Sequence, residues 1–176
     1  MLFRSIASLS TGNHTIGARY SGDANVAAST AATKQLTVGK APTSTVLTST
    51  GSPTVSGQAV TFTATVGVVS PGAGDPAGGV QFNVDGEPYG TAVALSGDHA
   101  DLSISNLAPG NHTVQATYNG NGDFATSTSA ELTHGVDRAD TAVSVSTSNP
   151  DAVAGEPLTF TADVDVDRKS TRLNSS

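Results

Sequence analysis

Apolar and polar residues alternate most clearly in residues 58–66, which read QAVTFTATV. Val60, Phe62, Ala64 and Val66 occupy every second position, and threonines stand between them. Successive side chains of a strand point to opposite faces of its sheet, so this alternation predicts a strand with one buried and one solvated face. Such half-buried strands are typical of antiparallel sheets.

Similar short apolar runs, separated by turn residues, recur through residues 41–135. Asp85 followed by Gly86 is a favoured hairpin turn, and the glycines and prolines of 70–79 indicate a loop. No stretch carries the period of a helix. We therefore predict an all-β sandwich of about seven antiparallel strands, at 43–49, 58–66, 79–85, within 89–95, and at 99–105, 112–118 and 127–134. Its predicted core consists of Val60, Phe62, Val80, Phe82, Leu102, Ile104, Val114 and Tyr118.

The pattern repeats along the chain. Residues 107–124 read LAPGNHTVQATYNGNGDF, and residues 9–26 read LSTGNHTIGARYSGDANV, with His14 and His112 standing 98 positions apart. QAVTFTATV returns as EPLTFTADV at the same step, which places Phe160 98 positions after Phe62. Two motifs with one offset predict tandem domains of about one hundred residues.

This step divides the chain into four predicted segments. Residues 1–39 are the C-terminal half of a first repeat, with strands at 14–20 and near 33–38, and Met1 then marks a truncated reading. Residues 41–135 are a complete repeat, and short linkers lie at 39–42 and 135–140. Residues 136–167 are the N-terminal half of a third repeat. The tail at 168–176 leaves the pattern and is excluded from the fold.

Composition and charge restrict the partners. The 176 residues carry a net charge of −7 with a pI near 4.7, which argues against nucleic acid and against an anionic membrane surface. The chain has no cysteine, so thiolate chemistry and disulfides are excluded. No apolar run has the length of a membrane span, so no membrane insertion is expected.

The phrases GNHTVQATYNGNGDFATSTS, GQAVTFTATV and GEPLTFTADV resemble the bacterial immunoglobulin-like repeat family, group 3 type, of secreted and cell-surface proteins. The resemblance implies tandem immunoglobulin-like sandwiches outside the cell, with any signal and anchor outside this sequence. It implies a non-catalytic stalk, spacer or adhesive unit whose partners are neighbouring repeats. Two alternatives stay open: a module that binds a surface glycan or protein, for which only the region of 70–79 and Tyr89 offers a patch, and an accessory domain of a secreted enzyme.

The sequence offers few groups for chemistry. His14 and His112 follow Gly-Asn at strand starts, where sandwich domains place a tyrosine that bonds back to upstream backbone, and a ring nitrogen can make the same tie. No nucleophile elbow, phosphate loop or zinc motif occurs, so we predict no catalytic, cofactor-binding or metal-binding residue. The match of Asn13 and Asn111 to the N-glycosylation pattern is taken as incidental. Tyr20 and Tyr118 are expected to pack their rings while their hydroxyls reach water.

Calcium is the one cofactor that the sequence raises. Oxygen donors lie in the turns and at the junction between repeats, at Asp23, Asn119, Asn121, Asp123, Asp137 and Asp140, and in the ladder Asp163, Asp165 and Asp167. The calcium-loop spacing is absent, and Asp and Asn in turns ordinarily bond their own backbone. We therefore predict no cofactor.

The two half repeats also expose unpaired strand edges, which could pair between chains.

Overall fold

The computed structural model describes residues 9–167, and every regular element in that range is a β-strand. The strands are β1 (Gly12–Ile16), β2 (Arg19–Tyr20), β3 (Ser29–Thr30), β4 (Lys34–Val38), β5 (Thr43–Ser49), β6 (Thr54–Val55), β7 (Val60–Val68), β8 (Gly79–Val84), β9 (Glu87–Pro88), β10 (Val93–Ala94), β11 (His99–Ile104), β12 (Gly110–Tyr118), β13 (Ser127–Thr128), β14 (Leu132–Asp137), β15 (Asp140–Thr147) and β16 (Phe160–Asp167). The predicted off-pattern tail at 168–176 lies outside the described residues.

Strands β5 to β14 form the central sandwich, residues 41–137. One sheet has the strand order β11-β7-β5, and the other has the order β10-β8-β12-β14-β6, with β9 and β13 paired at its sides. All pairs are antiparallel except β6 with β14, which run parallel. The all-β class and the sandwich that the alternation predicted are therefore confirmed.

The core lies between the two sheets and uses the inward positions of the alternating strands. Tyr118, Phe62 and Phe82 are its largest side chains, each at most 1% exposed. All eight predicted core residues pack there, Leu102 being only partly buried. Ala64 and Val66 are also buried, as the alternation of 58–66 predicted, and the core has four further members that were not predicted, which are Leu47, Ala100, Ala116 and Phe124.

Several strand predictions differ from the structure, and β9 was not predicted at all. The predicted strand at 127–134 is two strands, β13 and β14, and β14 continues to Asp137, into the stretch read as a linker. The strand predicted within 89–95 contains only Val93 and Ala94. β6 was not predicted, because its two residues lie among glycine, serine and proline and are too few to show a period. Its parallel pairing also departs from the prediction of antiparallel strands alone.

The N-terminal segment, residues 9–39, pairs β1 with β4. His14 lies opposite Leu36, and in the central sandwich His112 lies opposite His134, so the register is the same after a shift of 98. The strand predicted at 14–20 is interrupted after Ile16. The physical reason is a missing neighbour: β12 runs unbroken because β8 pairs along its second edge, whereas the described residues hold no such strand beside β1.

The C-terminal hairpin, residues 140–167, consists of β15 and β16. Val143 lies opposite Val164, and Thr45 lies opposite Val66 in the pair of β5 and β7, again with a shift of 98. The repeated sequence thus carries a repeated strand register at both ends of the chain.

Candidate functional site

His112 stands at the start of β12 and ties that strand to the loop before it. Its Nε2 lies 2.8 Å from the carbonyl oxygen of Ala108, four residues upstream. His14 repeats the arrangement, with Nε2 at 2.7 Å from the carbonyl oxygen of Ser10. A ring nitrogen bonded to upstream backbone is the tie that the sequence predicted for both histidines, and this prediction is confirmed.

The second ring nitrogen of His112 faces a carboxylate. Nδ1 lies 2.7 Å from Oδ2 of Asp85. A carbonyl and an ionised carboxylate can only accept, so this geometry favours the protonated ring, in which both nitrogens donate. The hydrogen bonds to Ala108 and then to Asp85 accordingly raise the pKa of His112 above its usual 6.5.

Asp85 holds its position through the hairpin between β8 and β9. It takes φ of 53° and Gly86 takes 86°, the left-handed conformations that a two-residue hairpin needs, as the Asp-Gly pair predicted. Its Oδ1 also accepts the backbone N–H of Thr113 at 2.9 Å. These two bonds, that of His112 first, lower the pKa of the Asp85 carboxyl.

His134 lies opposite His112 on the inward face and is fully buried. Its Nε2 lies 2.9 Å from Oγ1 of Thr54, and its ring meets Phe62 edge-on with centroids 5.4 Å apart. Its Nδ1 is buried with no protein partner. Burial, and then the charge of His112, lower the pKa of His134, so the ring stays neutral in the core.

His134 is the residue that the sequence reading missed as part of this site. The sequence carried one sign of it: His134 occupies an inward position of β14, and the residue 98 positions earlier, Leu36, is apolar. The two histidines and Asp85 form a structural cluster in which one imidazole has a raised pKa and lies beside a carboxylate, while the other has a lowered pKa and is buried. Both ring nitrogens of His112 are engaged by protein groups.

The family model for the bacterial Ig-like domain (group 3) matches residues 47–137, just over half of the chain. The chain belongs to this family. The match begins inside β5 and ends with the last residue of β14, so it covers most of the central sandwich. No curated protein matches the chain.

Asn121 in the Ig-like domain and Asp23 in the N-terminal segment both bond the backbone of their own turns. Oδ1 of Asn121 accepts the N–H groups of Asp123 and Phe124 at 2.8 and 2.9 Å. Asp23, 98 positions earlier, accepts those of Asn25 and Val26 at the same distances. The turn-forming role that the sequence favoured for Asn121 and Asp23 is confirmed, and these bonds, with that from Tyr20, lower the pKa of Asp23.

The other oxygen donors raised for calcium are spread over the Ig-like domain and its neighbours. Asn119 follows β12, Asp137 ends β14, and the Asp163 and Asp165 side chains project from the exposed hairpin. Within residues 9–167, no three carboxylate or imidazole groups converge as a metal site.

The two tyrosines behave differently. The ring of Tyr118 is buried as predicted, but its hydroxyl donates to the carbonyl of Ala77 at 2.8 Å, so the prediction that it reaches water was wrong. The enclosed hydroxyl keeps its proton more firmly, and burial raises the pKa of Tyr118. Tyr20 is 44% exposed and donates to Asp23.

One cleft of about 760 Å³ lies where the N-terminal segment meets the Ig-like domain. Its lining includes Thr11, residues 38–42 and the loop at 71–75. Thr11 donates to Oδ1 of Asp123 at 2.9 Å across this junction. Of the region predicted as a binding patch, residues 71–75 line this cleft, whereas Tyr89 is not among its lining residues, packs on the core and donates to Asn106.

Bacterial Ig-like domains of this group are structural, generally non-catalytic and commonly extracellular. Residues 9–167 contain no helix that is long and apolar enough to cross a membrane.

Proposed function

We propose that this chain is a non-catalytic spacer, a stalk module of a bacterial secreted or cell-surface protein. The observation that carries the proposal is the position of the two chain connections. The central sandwich is entered at one end and left at the other, so it separates whatever is joined to its two sides.

The entry point lies beyond the end of β12. The N–H of Ala41 donates to the carbonyl of Asp123 at 2.7 Å, and the carbonyl of Ala41 accepts from Ala125 at 2.9 Å. The exit point lies at the start of β12, where Gly110 pairs with Val136. Nine residues of β12 therefore separate the two points, a distance of about 30 Å at 3.4 Å per residue.

The connections on both sides of the sandwich are short, so the separation between its two ends is passed on to the neighbouring segments. Only Arg138 and Ala139 separate β14 from β15, and Gly39 and Lys40 separate β4 from Ala41. Linkers of two residues leave little freedom to the segments that they join. With the bond from Thr11 to Asp123, these connections favour a semi-rigid row of neighbouring repeats.

The experiment that tests this proposal is small-angle X-ray scattering on arrays of two and four central sandwiches joined by residues 138–140. The maximum dimension should grow nearly linearly with the number of units. Matched arrays with a ten-residue Gly-Ser linker should be more compact per unit, since such linkers are flexible coils. Equal dimensions in the two series would remove the spacer proposal.

A second candidate function, binding of a surface glycan or protein, is favoured by the cleft at the N-terminal junction. The cleft is lined by both polar and apolar residues, as ligand sites are, and one of its walls is the glycine- and proline-containing loop at 71–75. A glycan array probed with the full chain and with Thr11→Trp, which would fill the cleft, tests it.

The accessory-domain alternative is tested by the neighbouring coding sequence, where a catalytic domain would favour it.

A further inference from the structure

The turn after β12 contains two successive Asn-Gly pairs, Asn119-Gly120 and Asn121-Gly122, and the sequence has no others. Asparagine is chemically labile, and a following glycine favours loss of its side-chain amide, because glycine has no side chain to shield its backbone nitrogen or to restrict the backbone. The fold gives the two pairs different surroundings. Their exposure and hydrogen bonds therefore predict which of them reacts.

The side chain of Asn121 is held on both sides of its amide. Its Oδ1 accepts the N–H groups of Asp123 and Phe124 at 2.8 and 2.9 Å, and its Nδ2 donates to the carbonyl oxygen of Ala77 at 3.0 Å. These three hydrogen bonds must break before its Cγ can turn toward the nitrogen of Gly122. The fold therefore protects this pair.

Asn119 has the opposite environment. It follows the last residue of β12, and its side chain is exposed. Its backbone N–H donates to the carbonyl oxygen of Gly79 at 3.0 Å, but within residues 9–167 its side-chain amide and the N–H of Gly120 make no hydrogen bond. The carbon that would be attacked and the nitrogen that would attack it are both available.

We propose that Asn119 is a site of self-modification, at which the backbone nitrogen of Gly120 attacks Cγ of the Asn119 amide. Hydroxide removes the N–H proton, the N–Cγ bond forms, and the Cγ–Nδ2 bond breaks with release of ammonia. Water then opens the resulting five-membered succinimide. Cleavage of the new N–Cγ bond leaves aspartate, and cleavage of the original peptide bond leaves isoaspartate, whose main chain continues through the side chain. The net reaction consumes water and releases ammonia, with no oxidation or reduction.

The turn requires the glycine that makes this reaction possible. Gly120 has φ of 69°, and a Cβ on it would lie 2.9 Å from the carbonyl oxygen of Phe124. Gly22, 98 positions earlier, has φ of 78°, and a Cβ on it would lie 2.9 Å from the carbonyl oxygen of Val26. The residue before Gly22 is Ser21, which has no amide to lose. The two turns share their glycine, so the residue before it decides whether the turn is reactive.

The modified turn also holds the connection to the N-terminal segment. The N–H of Ala41 donates to the carbonyl oxygen of Asp123 at 2.7 Å, and Thr11 donates to Oδ1 of Asp123 at 2.9 Å. Isoaspartate at position 119 lengthens the main chain by one carbon before these contacts and adds a carboxylate to the turn that contains Asp123. We therefore expect the connection at Ala41 to loosen. The reaction itself is local to the turn and does not depend on the proposed spacer function.

Peptide mapping by mass spectrometry tests the site, using the full chain incubated in mildly alkaline buffer. The folded chain should lose the amide of Asn119 about tenfold faster than that of Asn121, or more, because each hydrogen bond that must break lowers the reactive fraction several-fold. In urea, where the turn is unfolded, the two amides should be lost at similar rates. Equal rates in the folded chain, or faster loss at Asn121, would overturn the proposal.

Two variants introduce the residues that the N-terminal segment has at the same places. Asn119→Ser matches Ser21 and should abolish the formation of isoaspartate in the folded chain. Asn121→Asp is the matched control, because Asp23 makes the equivalent backbone bonds at 2.8 and 2.9 Å, and it should leave the reaction at Asn119 unchanged. Isoaspartate that persists in Asn119→Ser would locate the chemistry elsewhere and refute the proposal.

Hydrogen exchange tests the consequence for the connection, with the isoaspartate form separated from the parent by ion exchange. The amides of Ala41 and Ala125 bond across the connection and should exchange several-fold faster in the modified chain. The amide of Val114, in the middle of β12, should keep its protection and is the internal control. Unchanged exchange at Ala41 and Ala125 would overturn the expected loosening.

Discussion

Nδ1 of His112 lies 2.7 Å from Oδ2 of Asp85 and joins the start of β12 to the hairpin between β8 and β9. The two residues are 27 positions apart in sequence, and Asp85 raises the pKa of the imidazole that also bonds the loop before β12. Asp85 occupies a left-handed position with φ of 53°, which Asn also tolerates. The charge can therefore be removed without disturbing the turn.

For Asp85→Asn we predict that the pKa of His112 falls. The raised pKa means that His112 stabilises the fold below pH 6.5, and this contribution is lost as pH rises through the folded-state pKa. The lowered pKa of Asp85 gives stability that is fully present above about 3.8 and is lost below it, as pH falls through the lower folded-state pKa. NMR titration of the imidazole in the variant and in the parent measures the shift. An unchanged His112 titration would contradict the assigned ion pair.

His134 should have the opposite pH dependence. Its lowered pKa means that the unfolded chain binds the proton more tightly, so stability is lost as pH falls below about 6.5. His134→Leu/Thr54→Val removes the buried polar pair, as Leu36 and Ala152 do at the equivalent positions. We expect the variant to lose less stability than the parent between pH 7 and 5, measured by urea unfolding. A double variant as acid-sensitive as the parent would contradict this role.

The sequence predicts what depends on neighbours along the chain and not what depends on neighbours in space. Alternation in β7 identified Phe62 as core because burial at every second residue is a local property of a strand. The turn at Asp85 and the tie from His112 to Ala108 also span only a few residues. The bonds from His112 to Asp85 and from His134 to Thr54 required knowledge of which strands are adjacent, and no period in the sequence contains that information.

Phe62→Ala should cost about 3–5 kcal/mol of unfolding free energy, the usual range for a buried Phe that is truncated. Phe62 is fully buried and contacts the ring of His134, so the lost atoms leave a cavity between the sheets. Val46→Ala, on the exposed face of β5, is the control and should stay within about 0.5 kcal/mol of the parent. Denaturant unfolding at pH 7 measures both, and equal midpoints for the two variants would refute the core assignment.

Calcium should not change the melting temperature of the chain. Oδ1 of Asn121 and of Asp23 each accept two backbone N–H groups, which leaves these turn oxygens engaged. Calcium requires six to eight oxygen ligands, and a ligand that binds the native state raises its melting temperature. Calorimetry with millimolar calcium and then with chelator measures the difference, with magnesium as the control cation. A rise specific to calcium would make these side chains ligands.

The last two residues of β14 should be essential to the stability of the central sandwich. Residues 41–135 alone, the boundary that the repeat suggested, would lack Val136 and Asp137. Val136 is only 6% exposed, and the carbonyl of Asp137 accepts the N–H of Ser56 at 2.8 Å, so β6 loses its pairing without them. We expect 41–135 to be less stable than 41–137 by about 1.5–3 kcal/mol, the value of a buried Val side chain. Residues 41–139 serve as the control and should match 41–137, because Arg138 and Ala139 belong to no strand. Equal melting temperatures for all three would contradict the prediction. They would mean that the pairing of β6 with Val136 and Asp137 adds no stability to the sandwich.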